Sequence, residues 1–326
     1  MNSLLWFLVI FAVVGVAVWL VSFAVEALRP APKPPATLAW DADIPINTVE
    51  VAGNRLRYIK TGSGPALVLL HTLRTQLDLF EKVVPDLAQH FTVYALDYPG
   101  HGYSDIPKAR YDAAFFTQAV DSFLDRLNLR DVTLAGVSIG APIALIIAAR
   151  RNPRVARVIA VNPYDYAKGR GMARSSLLGW MVTYISLIPV VGDAVIRLRN
   201  FLIMRTVLRG GVADPSSISP ALMKEMSLVG NRPGHYRAFL SLLRNGESWE
   251  RATQNYGHID IPVLLIWGDQ DWASPPEREH DRTLIPNVEM TTVEGGGHFL
   301  PLDQPRALSE LIIGFAAREQ PAAQTL

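Results

Sequence analysis

The chain has 326 residues, 49% hydrophobic and 19% charged, with a formal net charge of +1. That balance excludes a disordered chain and a general binder of polyanions such as nucleic acid. There is no cysteine, which excludes disulfides, thiol nucleophiles and thiolate metal sites.

Residues 4–25 carry no charge and would form a helix of about 33 Å, enough to cross the apolar core of a bilayer. Trp6 and Trp19 lie towards its ends, as interfacial anchors do. The run lacks a basic leader, and no small-x-small cleavage site follows it at once, so a retained anchor over residues 1–28 is expected rather than a cleaved signal peptide. Such an anchor makes membrane lipid a partner. Arg29 and Lys33 follow the helix and only the α-amino group precedes it, which predicts a single-pass protein with its catalytic domain in the cytoplasm. Residues 29–46 include Pro30, Pro32, Pro34, Pro35 and Pro45 and read as a stiff, extended spacer holding the domain a short distance from the membrane.

The remaining residues, 47–326, alternate strand and helix patterns. Strands are expected at 48–51 and 56–59, joined by a turn at Gly53-Asn54, then at 66–70, 91–96, 132–135, 155–161, 263–267 and 288–293. Helices are expected at 79–87, 115–127, 141–149, 275–283 and 307–317, with a frayed tail over 319–326. Short apolar strands with crossover helices predict an α/β fold: a mostly parallel sheet covered on both faces, with the first strands as an antiparallel edge. Residues 163–260 are too many for a loop and predict an inserted helical cap. Within it, 175–192 are uncharged. The flanking strands belong to one sheet, and Gly179, Pro189 and Gly192 interrupt the run, so a lid over an apolar cleft fits better than a second span. Its apolar residues, edged with positive charge, also suit contact with an anionic membrane surface.

The strongest chemical signal is Gly136-Val137-Ser138-Ile139-Gly140, which follows a strand and opens a small-residue helix. That is the setting of a nucleophile elbow, a turn so tight that side chains at 136 and 140 would strike backbone. A serine hydroxyl needs a base to take its proton, and the base needs an acid to hold it. One late strand leads into Gly268-Asp269-Gln270-Asp271 and the next into Gly295-Gly296-Gly297-His298-Phe299, giving the order Ser138, Asp271, His298 along one sheet edge. Asp269, one residue into its turn, and Asp165, after strand 155–161, compete with Asp271. Of the seven histidines only His298 has this glycine-rich approach. His71 and His101 also stand at the active edge, where they could shape the cleft floor. No ligand spacing such as H-x-x-x-H occurs, and serine chemistry needs no metal or cofactor.

Together with Leu69-Leu70-His71-Thr72-Leu73 and Asp97-Tyr98-Pro99-Gly100-His101-Gly102-Tyr103-Ser104, these segments resemble the α/β-hydrolase superfamily, in its capped lipase, esterase and epoxide-hydrolase-like branch. The resemblance covers residues 47–318 and implies an eight-stranded sheet. It implies Ser138 as nucleophile, Asp271 as acid, His298 as base, and the backbone N–H groups of Leu73 and Ile139 as the oxyanion hole. Residues 97–104 would be a structural loop. The branch usually has His-Gly where this chain has His71-Thr72, which puts a local change in that loop. Epoxide hydrolases and haloalkane dehalogenases of this fold carry an aspartate where Ser138 stands, so serine implies acyl transfer. The chain is similar to membrane-anchored monoacylglycerol lipases, which implies a lipid-like ester met by His71, Trp180, Tyr184 and Phe299 of cleft and cap. A C–C bond hydrolase, a cofactor-free perhydrolase or haloperoxidase with the same triad, and a non-catalytic accessory or scaffold protein remain alternatives.

Overall fold

A computed structural model describes residues 3–318; the expected tail at 319–326 lies outside them. Helix α1 (Ser3–Ala27) contains one stretch, Leu5–Ala27, long and apolar enough to cross a membrane. Nearly all its side chains with a described exposure are exposed.

The segment after α1 differs from the expected spacer. Leu38 and Ile44 are buried in the core, and the Trp40 indole donates to Asp78 Oδ1 at 3.0 Å. Apolar side chains among the prolines thus strap this segment to the body of the protein.

The sheet has eight strands among the described residues: β1 (Ile46–Val51), β2 (Asn54–Thr61), β3 (Ala66–Leu70), β4 (Thr92–Leu96), β5 (Val132–Val137), β6 (Val155–Val161), β7 (Val263–Gly268) and β8 (Val288–Val293). Their spatial order is β1-β2-β4-β3-β5-β6-β7-β8. The β1–β2 hairpin and the β2–β4 pair are antiparallel, and all other neighbours are parallel. Successive side chains alternate between two cores: Val68, Leu70, Leu134 and Leu265 face one, Leu67, Leu69, Ala135 and Ile266 the other. Strand β3 lies between β4 and β5, so the chain reverses direction across the sheet there. The crevice beyond the C-terminal ends of β3 and β5 is therefore where an open α/β sheet can take a ligand.

The predicted helix at 79–87 is instead a short 3₁₀ turn (Leu77–Phe80) followed by α2 (Val84–Leu87), and the Leu77 N–H donates to Asp97 Oδ1 at 2.8 Å. Helix α3 (Ala113–Arg126) starts earlier than expected because Asp112 caps it, accepting from the Phe115 N–H at 3.0 Å. Helix α4 (Gly140–Ala149) is buried along its whole length. Between β6 and β7 come α5 (Leu177–Leu187), α6 (Val191–Arg197), α7 (Phe201–Arg209), α8 (Pro220–Val229), α9 (His235–Arg244) and α10 (Glu247–Ala252). The uncharged run at 175–192 is not one helix, because the chain turns at Pro189 and at Val190 (φ 66°). Helices α11 (Pro275–Leu284), α12 (Leu300–Asp303) and α13 (Pro305–Ala316) complete the chain.

Two polar clusters fix parts the site depends on. Arg57 is buried between Asp97 (2.5 Å) and Asp78 (2.9 Å). Burial pushes the Asp97 carboxyl up, but Arg57 and the Leu77 N–H more than offset this and hold it below the usual carboxylate range. Asp97 also accepts from the Tyr103 N–H, which shapes the 97–104 loop. The second cluster joins α1 to the helical insertion. Arg197 Nε donates to Ser22 Oγ at 3.0 Å, its guanidinium lies 3.8 Å from the Phe23 ring centre, and Arg199 pairs with Glu26 at 2.6 Å.

Candidate active site

Ser138 follows the last residue of β5 and holds φ 56°, a left-handed conformation that costs a non-glycine residue energy and persists only where the surroundings enforce it. They do so closely. A Cβ on Gly136 would lie 2.0 Å from the Gly140 carbonyl oxygen, and one on Gly140 would lie 2.2 Å from that of Leu70. The Ser138 N–H donates to the Val161 oxygen at 2.9 Å. The side chain is thereby turned out of the strand at the N-terminal end of α4, whose positive dipole end favours negative charge.

His298 and Asp271 meet it there. His298 Nε2 lies 2.8 Å from Ser138 Oγ, and His298 Nδ1 lies 2.5 Å from Asp271 Oδ2. All three residues are buried. The other Asp271 oxygen accepts from the Ala273 N–H at 2.8 Å, so the carboxylate is fixed at both oxygens. The competitors are occupied elsewhere. Asp269 Oδ1 accepts from the Gly296 N–H at 3.0 Å and closes the turn carrying His298. Asp165 accepts from the Tyr256 hydroxyl at 2.6 Å. Burial raises the Asp165 pKa to about 6, and burial together with Asp165 holds that of Asp281 well above the carboxylate range.

Two neighbours of this chain of groups were not anticipated from the sequence. The Trp272 indole stacks on the His298 ring with 3.8 Å between centroids and 14° between planes, and its Nε1–H donates to the Gly210 oxygen at 2.9 Å. It therefore covers one face of the imidazole and ties it to the insertion. Asn162, just after β6, donates to the Gly297 and His298 oxygens at 3.0 and 3.1 Å and accepts from the Gly268 N–H at 2.8 Å. One amide thus clamps the turns that carry Asp271 and His298. A polar residue immediately after a buried strand at the active edge was the available hint.

The N–H groups of Leu73 and Ile139 donate to no backbone or side-chain acceptor among the described residues. Thr72 does not take a positive φ; the left-handed residue of its loop is Arg74, at φ 61°. The missing glycine is thus accommodated two residues later.

Beside this loop lies a cavity of about 280 Å³, walled by Leu73, Trp272 and Phe299 and by side chains of the insertion that include Leu178, Val182, Ile185, Val207 and Phe239. Phe299 lines it, as expected of a cleft residue. The other three residues expected there do not. His71 is fully buried beneath the loop, with Nδ1 2.7 Å from the Thr72 oxygen and Nε2 accepting from the Tyr98 N–H. Burial lowers its pKa to about 4, and that of His101 to about 3, so both rings are neutral near pH 7. Trp180 and Tyr184 lie outside the cavity lining, 50% and 38% exposed and in contact with each other. The 3.6-residue period explains this: Leu178, Val182 and Ile185 take the inner face of α5, leaving Trp180 and Tyr184 to the outside.

A family model described as alpha/beta hydrolase fold matches residues 65–305. Haloalkane dehalogenase 2 of Mycobacterium tuberculosis is 27% identical over 278 residues, covering 79% of this chain and 90% of that protein. Carboxylesterase YbfK of Bacillus subtilis is 23% identical over 254 residues, covering 77% of this chain and 80% of that one. Among solved structures, Cfl2 from Burkholderia cenocepacia superposes with a TM-score of 0.76 at 24% identity, covering 87% of this chain and 99% of that chain.

Proposed function

Because the chain belongs to the alpha/beta hydrolase fold family, we propose that it is a membrane-anchored serine esterase that cleaves a lipid-like carboxylic ester through an acyl-enzyme. The observation that carries this reading is the unbroken hydrogen-bond chain from Ser138 through His298 to Asp271. His298 takes the Ser138 proton as Oγ attacks the ester carbonyl, and Asp271 holds the imidazole and stabilises the imidazolium. Two free N–H groups, on Leu73 and Ile139, receive the oxyanion. His298 then gives its proton to the leaving alcohol, and water repeats the sequence on the acyl-enzyme. Trp272 covers one face of the imidazole and shields it from water.

The nucleophile argues for acyl transfer over the displacement chemistry named for the dehalogenase relative. Serine attack on a saturated carbon would leave an ether, which a hydroxide delivered by His298 does not cleave. An acyl-serine is cleaved readily. The carboxylesterase relative points the same way. The apolar cavity suits an acyl chain, and α1 suits a membrane span.

The cap has a place in this reading. Helix α6 packs on α1 and α5 packs on α6. The exposed Leu177, Trp180, Ile188, Val190 and Leu202 of the cap would then enter the bilayer interface. Arg29 and Lys33 after the helix support a cytoplasmic domain, so protease added to spheroplasts should spare it; digestion from outside would reverse the topology. The reaction is tested with an acyl series of 4-nitrophenyl esters and monoacylglycerols, alongside a vinylogous diketone and peroxide with halide. Ester hydrolysis should dominate and rise with chain length. Turnover confined to the diketone or to halide oxidation would reassign the chemistry.

A further inference from the structure

A second cleft, of about 510 Å³, opens where the end of α1 meets the helical insertion, and it is lined by Arg29, Arg74 and Arg199. Its charges are unbalanced. Glu26 pairs with Arg199 at 2.6 Å and with Arg29 at 3.3 Å, and no carboxylate lines the cleft itself. Arg74 has no carboxylate within ion-pair distance among the described residues; it donates to the His235 ring, with contacts of 3.0 and 3.2 Å. Burial, with Arg199 and Arg29 nearby, lowers the Arg74 pKa to about 9 and keeps His235 neutral. Behind the cleft, Arg197 leaves Nη2 buried without a hydrogen-bond partner. Three guanidiniums thus line the cleft against one nearby carboxylate, Glu26; Arg29 and Arg199 are held in place by further bonds to Asn231 and to carbonyl oxygens of residues 196, 197, 199 and 230. Partly desolvated like charges of this kind are costly unless an anion joins them.

The position of the cleft says which anion. Val25, near the end of the apolar helix, is part of its wall, so a spanning α1 would set the cleft at the depth of lipid head groups. Arg74, Arg199 and Met204 also line the cavity beside the Leu73 loop, so the two spaces share a wall. We propose that the arginine cleft binds the phosphate-type head group of an anionic amphiphile whose apolar chain enters the adjoining cavity. Guanidinium forks match phosphate oxygens in pairs, a geometry a neutral glycerol head group cannot use. The inference rests on the reading of that cavity as the seat of an apolar chain, and it narrows the ligand to one with a negative head.

The test is a binding measurement, so it does not depend on turnover. Full-length protein in dodecyl maltoside micelles is titrated with dodecyl phosphate, which has no carboxylic ester, and followed by calorimetry. Saturable binding is expected. Arg74→Gln and Arg199→Gln should each weaken it about tenfold or more, the scale of a lost charge-assisted hydrogen bond. Glu26→Gln should tighten it, since it removes the negative charge that competes with the ligand. Thermal melts establish that each variant is folded, and Arg74→Lys, which keeps the charge without the fork, should fall between wild type and Arg74→Gln. Inorganic phosphate should displace the probe only weakly. No saturable binding, or an equal loss in all the variants including Glu26→Gln, would overturn the proposal. Displacement by inorganic phosphate as effective as by dodecyl phosphate itself would assign the cleft to free phosphate and overturn the amphiphile.

Discussion

Three aspartates stand close to the late strands, and their partners separate their roles. Asp271 meets His298, Asp269 closes a turn, and Asp165 shares a buried pocket with Tyr256 and Asp281. Asp271→Asn should therefore lower kcat by about four orders of magnitude, through loss of the correct imidazole tautomer. Asp269→Asn should lower it far less, because the amide oxygen can still accept from the Gly296 N–H. The reverse ranking in steady-state kinetics would exchange the two roles. Much of this was legible beforehand: the elbow glycines, the late histidine, and the choice of Asp271 over its neighbour all follow from motif and position. Trp272 was not, because a stacking partner is chosen by the turn after β7, and no periodicity reports how that turn folds. His71 misled for a related reason. It ends a strand at the active edge, but its ring is drawn down to Thr72 and Tyr98, beneath the cleft.

At the scale of elements, the order of strands and crossover helices was legible from short apolar runs, and the long interruption foretold the inserted helices. The joints were not. Segment 28–45 is held by Leu38, Trp40 and Ile44, isolated apolar residues among prolines. The docking of α1 on α6 comes from Ser22, Phe23 and Glu26, which the sequence shows only as a polar end to an apolar run. This arrangement separates two faces of the cap. Ile185 lines the cavity, whereas Trp180 and Leu202 are exposed. Replacing Trp180 and Leu202 together with serine should weaken co-sedimentation with liposomes by removing about 1.5–3 kcal/mol of interfacial burial per side chain. Hydrolysis of a soluble short-chain ester should be nearly unchanged. Unaltered liposome binding would contradict a membrane-facing cap.

For the molecule as a whole, stability should carry the imprint of the Asp165–Asp281 pair. Burial puts the native Asp165 pKa at about 6, above the ordinary carboxylate value, so the native state binds more protons than the unfolded chain between these values. Stability from this source is full below about pH 4 and is lost as pH rises through about 6. Asp165→Asn keeps an acceptor for Tyr256 and removes the titration. It should raise the melting temperature near pH 8 and do so much less near pH 4.5, with turnover retained. An equal shift at both pH values would deny the linkage. The proposed chemistry turns on one activated hydroxyl, held at a strained turn and joined to His298. The most direct test is reaction of the full-length protein with a fluorophosphonate, followed by peptide mapping. A single adduct on Ser138 is expected, lost in Ser138→Ala and strongly slowed in Asp271→Asn, with each variant folded. Absence of labelling in the folded wild type, or an adduct on another residue, would contradict it.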